Sequence, residues 1–497
     1  MEGLLSSVID SLGPNAQPTP IQALSLKHLF APPKDGSKWR QYLLASETGS
    51  GKSLAYMLPV LQDLKTSELS GQIPEAASKK GKARVVSPRA IILAPTHELS
   101  RQLSKTAKSL LHNVKLRVLC ASQANHGLQQ SSAAKMAAQL ADEPAQGDGA
   151  IGSKAKQVDV LVGTPSKVLE MFRGHGWNWD LAKPVDETAD FDPEGRKIRS
   201  RKFVVGEPEV GLHRVEWVVV DEADVLFDPD FEESTRMLLA DIAAARGQPV
   251  LAPKPAEGTT TLPSPLVVYN YPFHFLLTSA TIPNSLATYL NGHHPELIRL
   301  ASPNLHKLPA KLKTEHASWT GGNKGADIEA RIRQIWYKDS TSGNGRRSKI
   351  LIFCNKSTRV EEFGQYLAEK SIPNIALTST AEARGRGSNK HLEAFLRPIG
   401  PKAAVDAELA DAPVKEDAPH VLITTSLLSR GLDFSHEIKH VLVTDPPRNM
   451  IDFLHRAGRT GRAGRWGTVV VFGKTKGRGS NMSKEVISKV RELKHWS

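Results

Sequence analysis

Gln41-Tyr42-Leu43-Leu44-Ala45-Ser46-Glu47-Thr48-Gly49-Ser50-Gly51-Lys52-Ser53 carries the information from which the architecture unfolds. Its first five residues form an apolar run of strand length. Leu54-Ala55-Tyr56-Met57-Leu58 follows as an apolar helix start. Strand, glycine turn and helix in that order are the context a phosphate loop requires. Gly49 and Gly51 let the backbone approach phosphate, and the amides and helix N-terminus point at negative charge. Lys52 would neutralise the β- and γ-phosphates, and Ser53 would offer a hydroxyl to Mg²⁺. Position 46 is Ser where the general motif has Gly. The alternative is an ordinary Gly/Ser turn before a helix.

Outward from this stretch, short apolar β-rich runs recur. In the first half they are Gln41–Ala45, Ala90–Ala94, Val158–Val162, Trp217–Val220 and Phe275–Thr278. The second half has Lys349–Phe353, Val421–Thr424, Val441–Thr444 and Thr468–Phe472. Continuous apolar strands separated by helix-length stretches indicate parallel sheets covered by helices. Both halves read as the same α/β class, so two α/β domains are expected. The Gly-rich run from Thr320 to Gly325 suits a connector. The expected division is a first domain over 1–316, a linker over 317–326, a second domain over 327–476 and a tail over 477–497. In the tail, Val486, Ile487, Val490 and Leu493 fall on one helical face, predicting a helix that packs on the second domain. Polar segments at Thr66–Lys82, Gly174–Gly211, Gly247–Pro265 and Gly400–Ala418 read as inserted loops. One of them holds the basic cluster Arg196, Lys197, Arg199, Arg201 and Lys202, a candidate RNA or protein contact.

The chain's 497 residues allow about two to four domains. A hydrophobic content of 40% excludes a disordered chain. Lys+Arg exceed Asp+Glu by 13, which favours a polyanionic partner. No run approaches the roughly 18 apolar residues of a membrane-spanning helix. Two cysteines, Cys120 and Cys354, cannot staple a fold of this size, so a reducing compartment is expected. Met1 to Asp10 carries Glu2 and Asp10 and no basic residue. That matches neither a secretory signal nor an Arg-rich transit segment.

Asp221-Glu222-Ala223-Asp224 follows the apolar Val218-Val219-Val220. Carboxylates at the C-terminal end of a parallel strand sit where ligands bind. Asp221 could hold Mg²⁺ and Glu222 could orient an attacking water; the rival reading is an acidic helix N-terminus. Near the far end, His455-Arg456-Ala457-Gly458-Arg459-Thr460-Gly461-Arg462 spaces Arg459 and Arg462 to share one side of a turn. Guanidinium forks match phosphate oxygens and can stabilise a transferring γ-phosphoryl. A solvated basic face or a general RNA contact is the alternative.

Assembled, these residues resemble the DEAD-box RNA helicases of helicase superfamily two, in the family's motif order from about Pro18 to Lys474. The resemblance implies two tandem RecA-like domains, ATP and Mg²⁺ as cofactors, and single-stranded or short duplex RNA gripped through its backbone. It also implies a monomer with ribosomal or ribonucleoprotein partners and no membrane insertion. Pro18-Thr19-Pro20-Ile21-Gln22 looks like the adenine-reading Q motif, so Gln22 would contact the base. Ser46 to Ser53, including Glu47, Thr48 and Ser50, would wrap the phosphates. Ser53 and Asp221 would hold the metal, and Asp433, in Arg430-Gly431-Leu432-Asp433, would meet the ribose. Lys52, Asp221, Glu222, Arg459 and Arg462 would be catalytic. Ser279 and Thr281, in Ser279-Ala280-Thr281, and His455 would couple hydrolysis to domain closure. Expected RNA contacts are Pro95, Thr96 and His97, then Thr164, Pro165 and Lys167, then Phe353, Arg386 and Thr425. Such contacts give sequence-independent grip.

Several positions depart from the family pattern. His97 and Lys167 replace the usual Arg, Ser426 an Asp, and Ala383 a Gln. Only Gly127 stands where a Gly-Gly pair is expected, and the aromatic residue upstream of the Q motif would precede Met1. The stretches Asp224–Pro229 and Ser302–His306 look like a fungal mitochondrial subgroup associated with mitochondrial RNA metabolism and large-ribosomal-subunit assembly. The expected function is an ATP-dependent RNA helicase. Its rivals are an ATP-gated RNA clamp or scaffold with little turnover, and a DNA helicase of the same superfamily.

Overall fold

The computed structural model describes residues 2–31, 38–71, 86–123, 158–178, 205–250, 267–303, 305, 308, 311–341, 347–378, 389–397, 418–462 and 465–473. Two parallel sheets organise them, as the α/β reading predicts. The first holds β1 (Gln41–Ala45), β2 (Ala90–Leu93), β3 (Val118–Cys120), β4 (Val160–Gly163), β5 (Trp217–Val220), β6 (His274–Ser279) and β7 (Ile298–Ala301). Its order is β3-β4-β2-β5-β6-β1-β7. The second holds β8 (Leu312–Ser318), β9 (Lys349–Cys354), β10 (Asn374–Ala376), β11 (Val421–Thr425), β12 (Ile438–Val443) and β13 (Gly467–Gly473). Its order is β10-β11-β9-β12-β13-β8.

Strand side chains alternate between faces, and each sheet therefore carries two cores. On β5, Val218 and Val220 join one cluster and Trp217 and Val219 the other. Helices α1 (Glu2–Leu12), α2 (Pro20–Leu29), α3 (Lys52–Leu69) and α4 (His97–Leu110) cover one face. Helices α5 (Pro165–Arg173), α6 (Ala223–Leu226), α7 (Glu232–Ala245) and α8 (Asn284–His293) cover the other. In the second sheet, α9 (Lys324–Thr341) and α10 (Ser357–Glu369) pack on one side. The short α11 (Ser426–Ser429) and α12 (Met450–Ala457) pack on the other.

One expected boundary needs correction. β8 pairs along its whole length with β13, from Gly467 opposite Leu312 to Gly473 opposite Ser318. Residues 312–318 therefore belong to the second unit. The Gly-rich run from Thr320 to Gly325 joins β8 to α9 within that unit, and the passage between sheets falls between Ala301 and Leu312. Glycine spacing marks a turn but does not say whether the turn lies between units or inside one. The predicted tail helix, the basic cluster, Gly127, Arg386 and most of the inserted loops lie outside the described residues.

Candidate nucleotide site and nucleic-acid face

The phosphate loop leaves β1 and enters α3 through Gly49 (φ 80°) and Gly51 (φ 85°). Both lie in the left-handed region that favours glycine. A Cβ on Gly51 would stand 2.3 Å from Gln22 Nε2. Gln22 is held behind the loop: its Nε2 donates to the Gly51 carbonyl (3.2 Å) and its Oε1 accepts from the Thr19 amide (2.9 Å). Thr19 Oγ1 donates to the Ser50 carbonyl at 2.7 Å. The Q-motif stretch thus braces the loop as well as capping α2. The buried Lys52 ammonium donates to the carbonyls of Ser46 (2.7 Å) and Glu47 (2.9 Å). Burial lowers its pKa, and Glu222, Asp221 and Asp224 partly offset the effect.

Asp221 follows β5 and is held by three donors. Its Oδ2 accepts from the Tyr56 hydroxyl (3.1 Å), and its Oδ1 accepts from Thr278 Oγ1 (2.5 Å) and the Glu222 amide (3.0 Å). Glu222 has φ 54°, one of two non-glycine residues with positive φ among those described. That conformation costs roughly 1–2 kcal/mol and concentrates at functional turns. Its Oε2 is buried with no hydrogen-bond partner. Burial, then the charge of Asp224, pushes its pKa up to about 7 against the pull of Lys52.

The second unit closes the site. Thr48, Gly49, Gly51, Lys52, Ser53, Asp221, Glu222, Asp433, Arg459 and Arg462 line one cavity of ≈ 200 Å³. Arg459 Nη1 donates to the Leu432 carbonyl (3.0 Å), and Arg462 Nε donates to the Gly458 carbonyl (2.7 Å). Arg462 Nη2 is buried without a partner, and Arg462 Nε would lie 3.0 Å from a Cβ on Gly49. Burial lowers both guanidinium pKa values, and at Arg459 the charge of Arg462 adds to it. Arginine stays protonated regardless. Two desolvated cations facing a phosphate loop make a strong anion receptor.

A second link spans the units. Asp224 accepts from Ser279 Oγ and Thr281 Oγ1, each at 2.9 Å. Thr281 Oγ1 lies 3.3 Å from His455 Nε2 of the second unit. Burial drives His455 down to about 3 against the pull of Asp224, and its Nδ1 has no partner. Burial pushes Asp224 up; His455, Arg430, Thr281 and Ser279 outweigh it and leave the carboxyl below its ordinary value. Glu222, Asp224 and His455 offer ligand atoms within 4.8 Å of one another, and the Ser279 and Thr281 hydroxyls occupy one position on each Asp224 oxygen. The link between the units runs from Asp224 through Thr281 to His455.

Other predicted residues stand apart. Ser46 Oγ points to Glu47 Oε2 (3.1 Å), and the buried Ser50 hydroxyl has no partner. Thr96 caps α4 and Thr164 caps α5, with Pro165 in the first turn. Both caps leave helix-terminal amides of the kind that bind phosphate. Pro95 is buried beside Thr96. His97 Nδ1 lies 2.9 Å from Ser122 Oγ, and Lys167 is paired with Glu170 at 2.9 Å. His97, Thr164 and Lys167 line a surface cavity of ≈ 640 Å³. Thr425 ends β11 and precedes α11. Phe353 does not fit its expected role. It is 0% exposed in the core, with the Arg456 guanidinium 5.8 Å above its ring. β9 is a central strand covered on both faces, so an RNA contact by the ring is withdrawn. Tyr56, Thr278, Asp452, Gln102 and Asn389 went unread. Thr278 adjoins the Ser279 motif and was open to notice, whereas Tyr56 looks like any apolar helix residue.

The comparisons with known proteins agree with this geometry. The DEAD/DEAH box helicase model matches residues 19–289, and the helicase conserved C-terminal domain matches 332–464. The chain belongs to the DEAD-box family of ATP-dependent RNA helicases. Its activity class is that of an RNA-stimulated ATPase and helicase. The helicase is 33% identical to "ATP-dependent RNA helicase MRH4, mitochondrial" of Cryptococcus neoformans var. neoformans serotype D (strain B-3501A), over 95% of this chain and 81% of that one. It spans 64% of the homologue from strain JEC21, again at 33% identity and 95% of this chain. With the protein of the same name in Saccharomyces cerevisiae S288c it shares 27% identity, covering 92% of this chain and 72% of that one. Among solved structures, Mss116p bound to ssRNA and AMP-PNP aligns with a TM-score of 0.57 at 18% identity, over 92% of this chain and 69% of that one. S. cerevisiae Dbp5 bound to RNA and ADP BeF3 aligns at 0.56 and 17%, over 99% and 91%. These two likenesses show the fold. Among the described residues, no helix of the helicase is long and apolar enough to cross a membrane.

Proposed function

We propose that this helicase binds ATP between its two units and couples their closure to gripping and locally unwinding RNA. We place that work in mitochondrial RNA metabolism and assembly of the large mitochondrial ribosomal subunit. The observation that carries the mechanism is the shared cavity. Lys52, Asp221 and Glu222 come from one unit and Arg459 and Arg462 from the other. Location rests on relatives that bear mitochondrial names; ribosomal assembly rests on the subgroup resemblance.

In this reading Lys52 neutralises the outer phosphates, and the loop amides from Ser46 to Ser53 cradle them. Gln22 reads the base and Asp433 the ribose. Glu222 orients the attacking water, its buried, partnerless oxygen being available to accept a proton. Arg459 and Arg462 meet charge on the transferring phosphoryl. The residues fit Mg²⁺, a hard cation that prefers oxygen donors: Ser53 and Asp221 supply a hydroxyl and a carboxylate. When bound, Mg²⁺ neutralises phosphate charge. Ser279, Thr281 and His455 report closure to Asp224. RNA lies along the capped N-termini of α4 and α5 and reaches Thr425 in the second unit; the resemblance adds Arg386, outside the described residues, as a further contact. The helicase acts as a monomer, and ribonucleoprotein partners set its target.

Glu222→Gln tests the assignment. It keeps the shape of the site and removes the base. We expect RNA-stimulated ATP hydrolysis to fall roughly 100-fold or more, with nucleotide binding retained. Turnover near the parental rate would refute the role of Glu222. The rival clamp reading predicts that single-stranded RNA leaves parental turnover negligible, which the same assay detects.

A further inference from the structure

Arg101 lies one turn beyond His97 on α4, at the seam where the two units meet. It is 5% exposed. Its Nη1 donates to Asn389 Oδ1 of the second unit at 3.3 Å and lies 3.6 Å from Glu98 Oε1. Asn389 in turn donates through Nδ2 to the Glu98 carbonyl at 2.8 Å. The other edge of the guanidinium is unused: Nε and Nη2 are both buried with no hydrogen-bond partner. Those two N–H groups form the side-on fork of arginine, the edge that matches two oxygens of a phosphate or carboxylate. Burying such a fork unpaired disfavours the closed seam. An arriving anion removes that penalty.

The surroundings say which anion. Four residues along a helix is about 6 Å, so Arg101 is close behind His97. His97 lines the surface cavity with Thr164 and Lys167. His97 itself opens α4, whose N-terminus is capped by Thr96. We propose that Arg101 is a further nucleic-acid contact. Its Nε/Nη2 edge takes one backbone phosphate where the bound strand passes from the first unit to the second, while Nη1 holds Asn389. Closure would then be favoured only when the phosphate is present, which makes Arg101 a sensor joining strand binding to the seam. The inference rests on the RNA-binding reading above.

The test uses the full chain, a non-hydrolysable ATP analogue and a fluorescent ten-nucleotide single-stranded RNA, with binding measured over a range of salt. Arg101→Met should weaken binding about tenfold or more. It should also make the slope of log K against log[salt] shallower by about 0.7, one phosphate's worth for a single strand. Arg101→Lys should restore the slope while recovering only part of the affinity. Asn389→Ala breaks the seam contact without removing a charge, and should weaken binding with the slope unchanged. If Arg101→Met keeps the parental slope, whether or not affinity falls, the residue is only a seam contact and the inference fails. If the parental chain itself does not bind the RNA, the underlying reading fails first.

Discussion

His294 shows how one buried side chain sets a pH dependence. It is 1% exposed, with Nδ1 2.6 Å from Gln41 Oε1 and its ring 5.3 Å from Phe275. Burial, then the nearby charges of His293 and Arg236, lowers its pKa to about 3. The unfolded chain protonates this ring near 6.5, whereas the folded chain does not. Its contribution is therefore intact above pH 6.5 and lost as pH falls towards 3. At about 1.4 kcal/mol per unit, the loss reaches about 2 kcal/mol at pH 5. His294→Gln keeps a polar partner for Gln41 without titrating. Urea unfolding followed by tryptophan fluorescence should show the drop in stability between pH 7 and pH 5 shrink by about that amount; an unchanged drop would show the proton goes elsewhere. Residue by residue, the site was legible where its groups are contiguous in sequence. Lys52, Gly49 and Gly51 announce themselves because strand, turn and helix lie side by side. Phe353 misled because motif order gives position along the chain, whereas β9 is a central strand buried on both faces. Tyr56 was invisible because its partner, Asp221, lies 165 residues away.

At the scale of elements, the strands missed from sequence are β3, β7, β8 and β10, the edges of the two sheets. Central strands are buried on both faces and read as unbroken apolar runs. Edge strands are short or carry charge, which discourages pairing with other chains. β8 reads Leu-Lys-Thr-Glu-His-Ala-Ser, and β3 and β10 span three residues each. The same scale explains one departure from the family pattern. Ser426 accepts from Arg456 Nε at 2.8 Å. The carboxylate that Ser426 lacks comes instead from Asp452, one turn back on α12, paired with Arg456 Nη2 at 2.7 Å. Both side chains are buried. Removing one partner of such a pair costs about 3–5 kcal/mol. Asp452→Ala should accordingly lower the stability of the second unit by that order in chemical denaturation. A loss under about 1 kcal/mol would mean that Ser426 and Asn355, whose Oδ1 accepts from Arg456 Nη2 at 2.6 Å, hold Arg456 without it.

Across the whole molecule, closure depends on close approach at glycines. Gly431 has φ 68°, and a Cβ there would stand 2.2 Å from Leu99 Cδ2 of the opposite unit. Beside it, the Asp433 amide donates to Gln102 Oε1 at 3.0 Å. Gly431→Ala should keep the units apart and reduce RNA-stimulated hydrolysis about tenfold or more, since closely fitted catalytic groups are sensitive to small displacements. Pairing it with Leu99→Ala, which vacates the space, should recover part of the rate if sterics rather than backbone strain dominate. Steady-state assays of both variants decide this, and parental rates in Gly431→Ala would show that the seam tolerates the extra methyl. The joint between the lobes has its own consequence. It leaves β7, an outermost strand of one sheet, at Ala301 and enters β8, an outermost strand of the other, at Leu312. So short a leash holds each lobe near its mate at an effective concentration of roughly millimolar. A handful of weak bonds can then shut the jaw, and losing the ligands that bridge it is enough to let it fall open.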